Sequence, residues 1–170
     1  MIATKQKISA YAAAFAVSAS LVAGHVCAAT TPDSSTLDAV PRSTVCRSAT
    51  LPANIAKSVE LCVTQGSMAH DIYEVRMDGT SVVKGIDDAT SSGINGAYHG
   101  QPVSLKCEPV LSAPDNVSDA QIEGMRFMKP DGTREELKQL YLSLHTTETG
   151  RQCAINADAN PLFTVDVRFK

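Results

Sequence analysis

What most constrains this chain is an alternation of apolar and polar side chains, with a period of two, that recurs along its length. Val59, Leu61 and Val63 alternate with Glu60, Cys62 and Thr64, and Tyr73, Val75 and Met77 alternate with Glu74 and Arg76. The same pattern returns at Val103, Leu105 and Cys107, and at Phe163, Val165, Val167 and Phe169. Successive side chains of a strand point to opposite faces, so each stretch fits a strand with one face on a core and the other in water. Asp78-Gly79 sits between Tyr73–Met77 and the β-branched run Thr80–Val83, a strong hairpin signal. Pro130-Asp131-Gly132 reads as a second turn, after an expected strand at Ile122–Met128.

Two stretches are less regular. Leu137, Leu140, Tyr141 and Leu144 have helical spacing, and Thr133 with Glu136 would make a capping box. Leu140, Leu142 and Leu144 also alternate, so a strand is expected at Leu140–Thr146 with at most a helical turn before it. Residues 85–100 read as one long irregular surface loop, a length at which loops are often functional. The fold class expected is mainly β: an antiparallel β-sandwich or small barrel with two disulfides and at most one short helix.

The first 29 residues bear on compartment. Lys5 and Lys7 precede an uncharged apolar run from Ile8 to Gly24, and small residues follow at Cys27-Ala28-Ala29. That order is the pattern of a secretory signal peptide, with cleavage expected after Ala29. A lipid anchor on Cys27 is disfavoured, because Gly24 and Val26 stand where that signal wants Leu and a small residue. The expected organisation is a signal peptide at 1–29, a flexible tether at 30–44 rich in Pro, Ser, Thr and Asp, and a single disulfide-stapled β domain at 45–170.

Removing the leader leaves Cys46, Cys62, Cys107 and Cys153, an even set in an oxidising compartment. Four cysteines allow three pairings and the sequence alone does not choose; shorter loops lean towards Cys46–Cys62 and Cys107–Cys153. No close Cys-x-x-Cys or Cys/His spacing suggests a metal, and no cofactor is expected.

The formal charge of −3 becomes −5 once Lys5 and Lys7 are lost, and no basic block lies outside the leader. Nucleic acid is therefore not an expected partner, nor is a membrane after cleavage. An acidic surface suits a basic protein partner.

No catalytic set is expected. His99 with Ser91 or Ser92 and Asp87 or Asp88 permits a hydrolase triad on paper, without a Gly-x-Ser-x-Gly elbow to support it. Asp87-Asp88 lacks the downstream acid of a calcium-binding EF-hand loop. Glu135-Glu136 are consecutive and diverge, unlike a glycosidase pair. The 85–100 loop has a better claim as a partner-binding site through Ile86, Asp87, Asp88, Ile94, Tyr98 and His99, a tyrosine anchor among small adaptable neighbours.

The expected function is an exported periplasmic or secreted binding protein that occludes a protein partner, with a basic cell-wall hydrolase as the leading candidate. One alternative is an envelope component that assembles through a strand edge at Phe163–Lys170. The other is a small hydrolase built on His99.

Overall fold

Nine strands form among the described residues because the alternating segments each have an apolar face to hide. The structure, a computed structural model, describes residues 33–52, 54–66, 70–158 and 160–170. The expected leader at 1–29 lies outside them. The strands are β1 (Asp33–Ala39), β2 (Thr44–Thr50), β3 (Ser58–Thr64), β4 (Ile72–Met77), β5 (Thr80–Ile86), β6 (Ile94–Tyr98), β7 (Gln101–Ser112), β8 (Thr147–Ala157) and β9 (Asn160–Phe169). A five-stranded sheet has the order β1-β9-β8-β7-β6, and a four-stranded sheet has the order β2-β3-β4-β5. All pairings are antiparallel except β1 with β9.

The two sheets share one core. Val59, Leu61, Val63, Tyr73, Val75 and Met77 from the smaller sheet are fully buried, as are Leu105, Cys107, Cys153, Ile155, Phe163 and Val165 from the larger. Each large apolar side chain so buried contributes roughly 1.5–3 kcal/mol. At one pair of edges β6 crosses β5 so closely that a Cβ on Gly96 would lie 1.9 Å from the Val82 carbonyl oxygen. Only glycine permits that approach. The edges meet there without strand pairing, so the molecule is a sandwich rather than a closed barrel.

Both disulfides are cross-strand staples between residues directly opposite in register. Cys46–Cys62 joins β2 to β3, and Cys107–Cys153 joins β7 to β8, each with Cα atoms 4.0 Å apart. Asp78 and Gly79 both take positive φ (48° and 80°), as a two-residue hairpin turn requires. The Asp78 carboxylate accepts the Lys57 and Ser58 backbone N–H groups at 2.9 and 2.8 Å, which ties this turn to β3.

Several expectations are corrected. Residues 33–39, expected within the tether, form β1 beside β9, because Leu37 and Ala39 have a buried site to fill. The 85–100 segment is not irregular: it holds the end of β5, a short helix α1 (Asp87–Ser92), and β6. The strands expected at Ile122–Met128 and Leu140–Thr146 are helical. Between β7 and β8 lie α2 (Asp119–Gly124), a 3₁₀ turn (Met125–Phe127) and α3 (Arg134–His145), so the sandwich carries three short helices.

Capping decides the helical outcome. Ser118 with Gln121 and Thr133 with Glu136 each form a reciprocal capping box. The three helical pieces pack on one another around Ile122, Leu137 and Tyr141, forming a lobe rather than a layer on either sheet. Gln121 Nε2 donates to the Tyr141 hydroxyl at 2.6 Å, and the Tyr141 and His145 rings stack at 3.9 Å. The lobe stands at the end of an arm, since β7 runs on past its pairing with β6 at Leu105 to Ser112. Pro109 and a bulge at Val110/Leu111 blunt the arm's edge against stray strand pairing.

Candidate functional site

At the end of the sandwich from which the arm projects, β5 hands over to α1. Two acidic residues, Asp87 and Asp88, open α1, where the positive end of the helix dipole favours them. The Asp87 carboxylate accepts the Asp88 N–H at 2.9 Å, and the Thr90 hydroxyl donates to the Asp87 carbonyl at 2.6 Å.

From beneath, Arg151 of β8 holds this helix. Its Nη1 donates to the Asp87 carbonyl at 2.6 Å, to Thr90 Oγ1 at 3.1 Å and to Ser91 Oγ at 3.3 Å. Its Nε and Nη2 grip both carboxylate oxygens of Glu148 at 2.5 and 3.2 Å. Arg151 is buried and Thr90 entirely so, which makes this paired cation a structural pin between α1 and the base of the arm. Its guanidinium carbon lies 6.0 Å from the centre of the Tyr73 ring. Burial pushes the Tyr73 hydroxyl well above its ordinary pKa.

Around the pin the surface is acidic. Burial pushes the Asp71 carboxyl up, partly offset by the Gly66 N–H it accepts at 2.9 Å. Burial acts in the same direction on Asp87, but the Asp88 N–H and His70 outweigh it and hold that carboxyl below its ordinary value. His70 Nδ1 lies 2.8 Å from Asp87 Oδ1 and 3.7 Å from Asp88 Oδ2. These three residues are one of two trios among the described residues whose potential ligand atoms all lie within 4.8 Å of one another. Their hydrogen bonding and the α1 cap account for the arrangement as it stands. The other such trio, Cys46, Glu60 and Cys62, has its sulfurs committed to a disulfide.

The six residues expected to form one binding loop are divided between two ends. Ile86, Asp87 and Asp88 meet at the α1 end, while Ile94 packs against the core over Gly85. Tyr98 and His99 sit at the far end, where the Tyr98 hydroxyl donates to Asp78 Oδ2 at 3.0 Å and the two rings meet edge-on at 4.2 Å. Five-residue β6 lies between Ser92 and His99, about 16 Å at 3.3 Å per residue, so the structure does not bring the paper triad together. The Phe163–Lys170 segment is not an edge either, since β9 is flanked by β1 and β8.

Residues that the sequence reading passed over complete the surface. All eight large apolar side chains that stand exposed among the described residues lie at this same end or on the lobe beyond it. Val40 is in the β1–β2 turn, Ile72 and Ile86 are cross-strand partners, and Val110 and Leu111 lie on the arm. Phe127, Met128 and Leu144 belong to the lobe. The signal for Phe127 and Met128 was their position in the charged run Arg126–Lys129, which no buried strand would carry.

Compared with protein-family models, curated proteins and solved structures, the chain matches none. The two disulfides point to an oxidising environment, and no helix among the described residues is long and apolar enough to cross a membrane.

Proposed function

We propose that this is an exported, periplasmic or secreted, binding protein that acts by occluding a protein partner at its α1 end. One observation carries the reading: Val40, Ile72 and Ile86 all stand exposed at this one end, where the carboxylates of Asp71, Asp87 and Asp88 also lie. Scattered single apolar residues are ordinary on a surface, but a one-sided concentration of them marks an interaction site. Opposite that end, the turns around Asp78, His99 and Asp158 are polar. Arg151 is spent on Glu148 and α1, so the exposed Asp88 and the half-buried Asp71 and Asp87 beside Ile72 and Ile86 keep their field for a basic partner. A basic cell-wall hydrolase, inhibited when covered, fits that chemistry.

The test is capture by the oxidised protein from envelope and culture-supernatant proteins, followed by titration of the purified partner. Ile86→Ser and Asp88→Lys are expected to weaken binding at least about tenfold each, the scale of an interface hot spot. His99→Ala, at the opposite end, is expected to leave it unchanged. Equal losses from all three variants would place the partner elsewhere.

A further inference from the structure

The helical lobe presents an apolar knob that nothing among the described residues covers. Phe127 is 80 % exposed and Met128 50 %, on a 3₁₀ turn held from several sides. Arg126 Nη1 donates to the Pro130 and Gly132 carbonyls at 3.3 and 3.2 Å, and the Met128 and Lys129 N–H groups both donate to the Met125 carbonyl. Capping boxes open the helices on either side. The knob is therefore rigid before it meets anything, which lowers the entropic cost of binding.

At the base of the same arm lies a complementary socket. β8 begins at Thr147, but its pairing with β9 starts only at Gly150↔Arg168, so the arm runs on beyond β9 and leaves a notch. That notch is a cleft of about 400 Å³ with Val110, Val167 and Phe169 among its lining and Arg168 and Asp166 both on its wall, room enough for an aromatic ring and a methionine.

Charge agrees with shape. Beside the knob, Arg126 is paired with Glu123, Lys129 with Glu136, and Arg134 with Asp119. Those pairs offset the cations nearest the knob that an anionic membrane would attract, leaving Lys138 of α3 outside any ion pair among the described residues. Asp131 at the lobe tip makes no ion pair among the described residues, and Arg168 at the socket rim makes none within 4 Å, although Asp38 lies opposite it in the β1–β9 register and feels its charge.

From this geometry we infer that a second copy of this chain covers the knob: the Phe127–Met128 pair of each protomer seats in the Val110–Phe169 cleft of the other, with Asp131 facing Arg168. Because knob and socket lie on one arm, two arms laid side by side in opposite directions make both contacts at once and close as a two-fold dimer. The surface used is the outer side of the larger sheet and the lobe, so it goes beyond the α1 site and stands or falls separately from it.

The test is the mass of the oxidised protein by sedimentation and light scattering across concentration. A doubling of mass with rising concentration is expected for the unaltered chain. Phe127→Ser and Arg168→Asp should each leave a monomer with an unchanged circular dichroism spectrum, since both side chains are exposed. Combining Arg168→Asp with Asp131→Arg should restore the dimer. A monomer at every concentration up to about 1 mM overturns the inference, and so does a dimer that survives Phe127→Ser. Open-ended oligomers, or binding of Phe127 to anionic vesicles by a chain that stays monomeric, would overturn it equally.

Discussion

Glu136 does three things with one carboxylate, and each leaves a mark on its acidity. It accepts the Lys129 ammonium at 2.6 Å, the Thr133 N–H at 2.7 Å and the Thr133 hydroxyl at 2.9 Å. Lys129 first, and then the Thr133 contacts, hold its pKa at about 2, below the ordinary 4.5. A carboxylate with a depressed folded value stabilises the fold above its unfolded pKa, and that contribution fades as pH falls towards the folded value. The α3 cap is therefore expected to weaken between about pH 4.5 and 2. In Glu136→Gln that pH dependence should flatten, read from lobe amide resonances, while the core strands stay fixed. Arg151 is the opposite kind of residue, a cation with its donors already spent inside the molecule. Arg151→Met leaves Glu148 without its partner and α1 without its pin. The loss expected is roughly 2–4 kcal/mol by denaturant titration, at the low side of the buried-pair range because Glu148 is 30 % exposed. A loss under about 0.5 kcal/mol, the size of an ordinary surface substitution, would mean that α1 holds without it.

The lobe is an insertion that does not build the sandwich. Ser112 and Thr147, which flank it, are direct partners across β7 and β8, so an Asn-Gly turn could close the arm in its place. Replacing residues 113–146 in this way is expected to leave the sandwich folded, with a melting point within about 5 °C of the parent. Failure to fold would make the lobe part of the core after all. Ordering some thirty residues costs about 1–2 kcal/mol each in backbone entropy, which a lobe must recover from its own contacts and caps. This is also where the sequence was hardest to read. The sandwich strands were legible because burying one face imposes period two, which Tyr73–Met77 and Phe163–Val167 follow and Val59–Val63 breaks only at the disulfide-bonded Cys62, itself buried. Leu140, Leu142 and Leu144 satisfy period two and period 3.6 alike. What settles them is the Thr133–Glu136 box, which starts a helix ahead of them. Ser118 with Gln121 was an equally good start signal, hidden beneath the apolar run that follows. Of the candidate site, Ile86, Asp87 and Asp88 stay together as chain neighbours must, but sequence adjacency could not show that β6 carries Tyr98 and His99 to the far end.

Taken whole, the molecule is two sheets joined by packing, each stapled once within itself, so the disulfides resist the separation of neighbouring strands and not of the sheets. Their environments differ. Cys107 and Cys153 both face the core and are fully buried, whereas Cys46 lies exposed on the outer side of β2. Sequence separations of 16 and 46 residues correspond to about 3 and 4 kcal/mol of loop entropy removed from the unfolded chain, the longer loop giving more. A thiolate reductant can reach a sulfur only where the protein exposes it, so mild reduction of the folded protein is expected to open Cys46–Cys62 first. Cys107–Cys153 should open only with global unfolding. Alkylation during a reductant series, followed by peptide mass mapping, reads that order directly. The singly reduced protein should keep its strand content and lose melting temperature, because β2 stays paired to β3 through its backbone after the staple is gone. If Cys107–Cys153 opened first, β7 and β8 would have to part while the rest stayed folded. The arm and its lobe would then be a separately unfolding unit instead of an extension of the core.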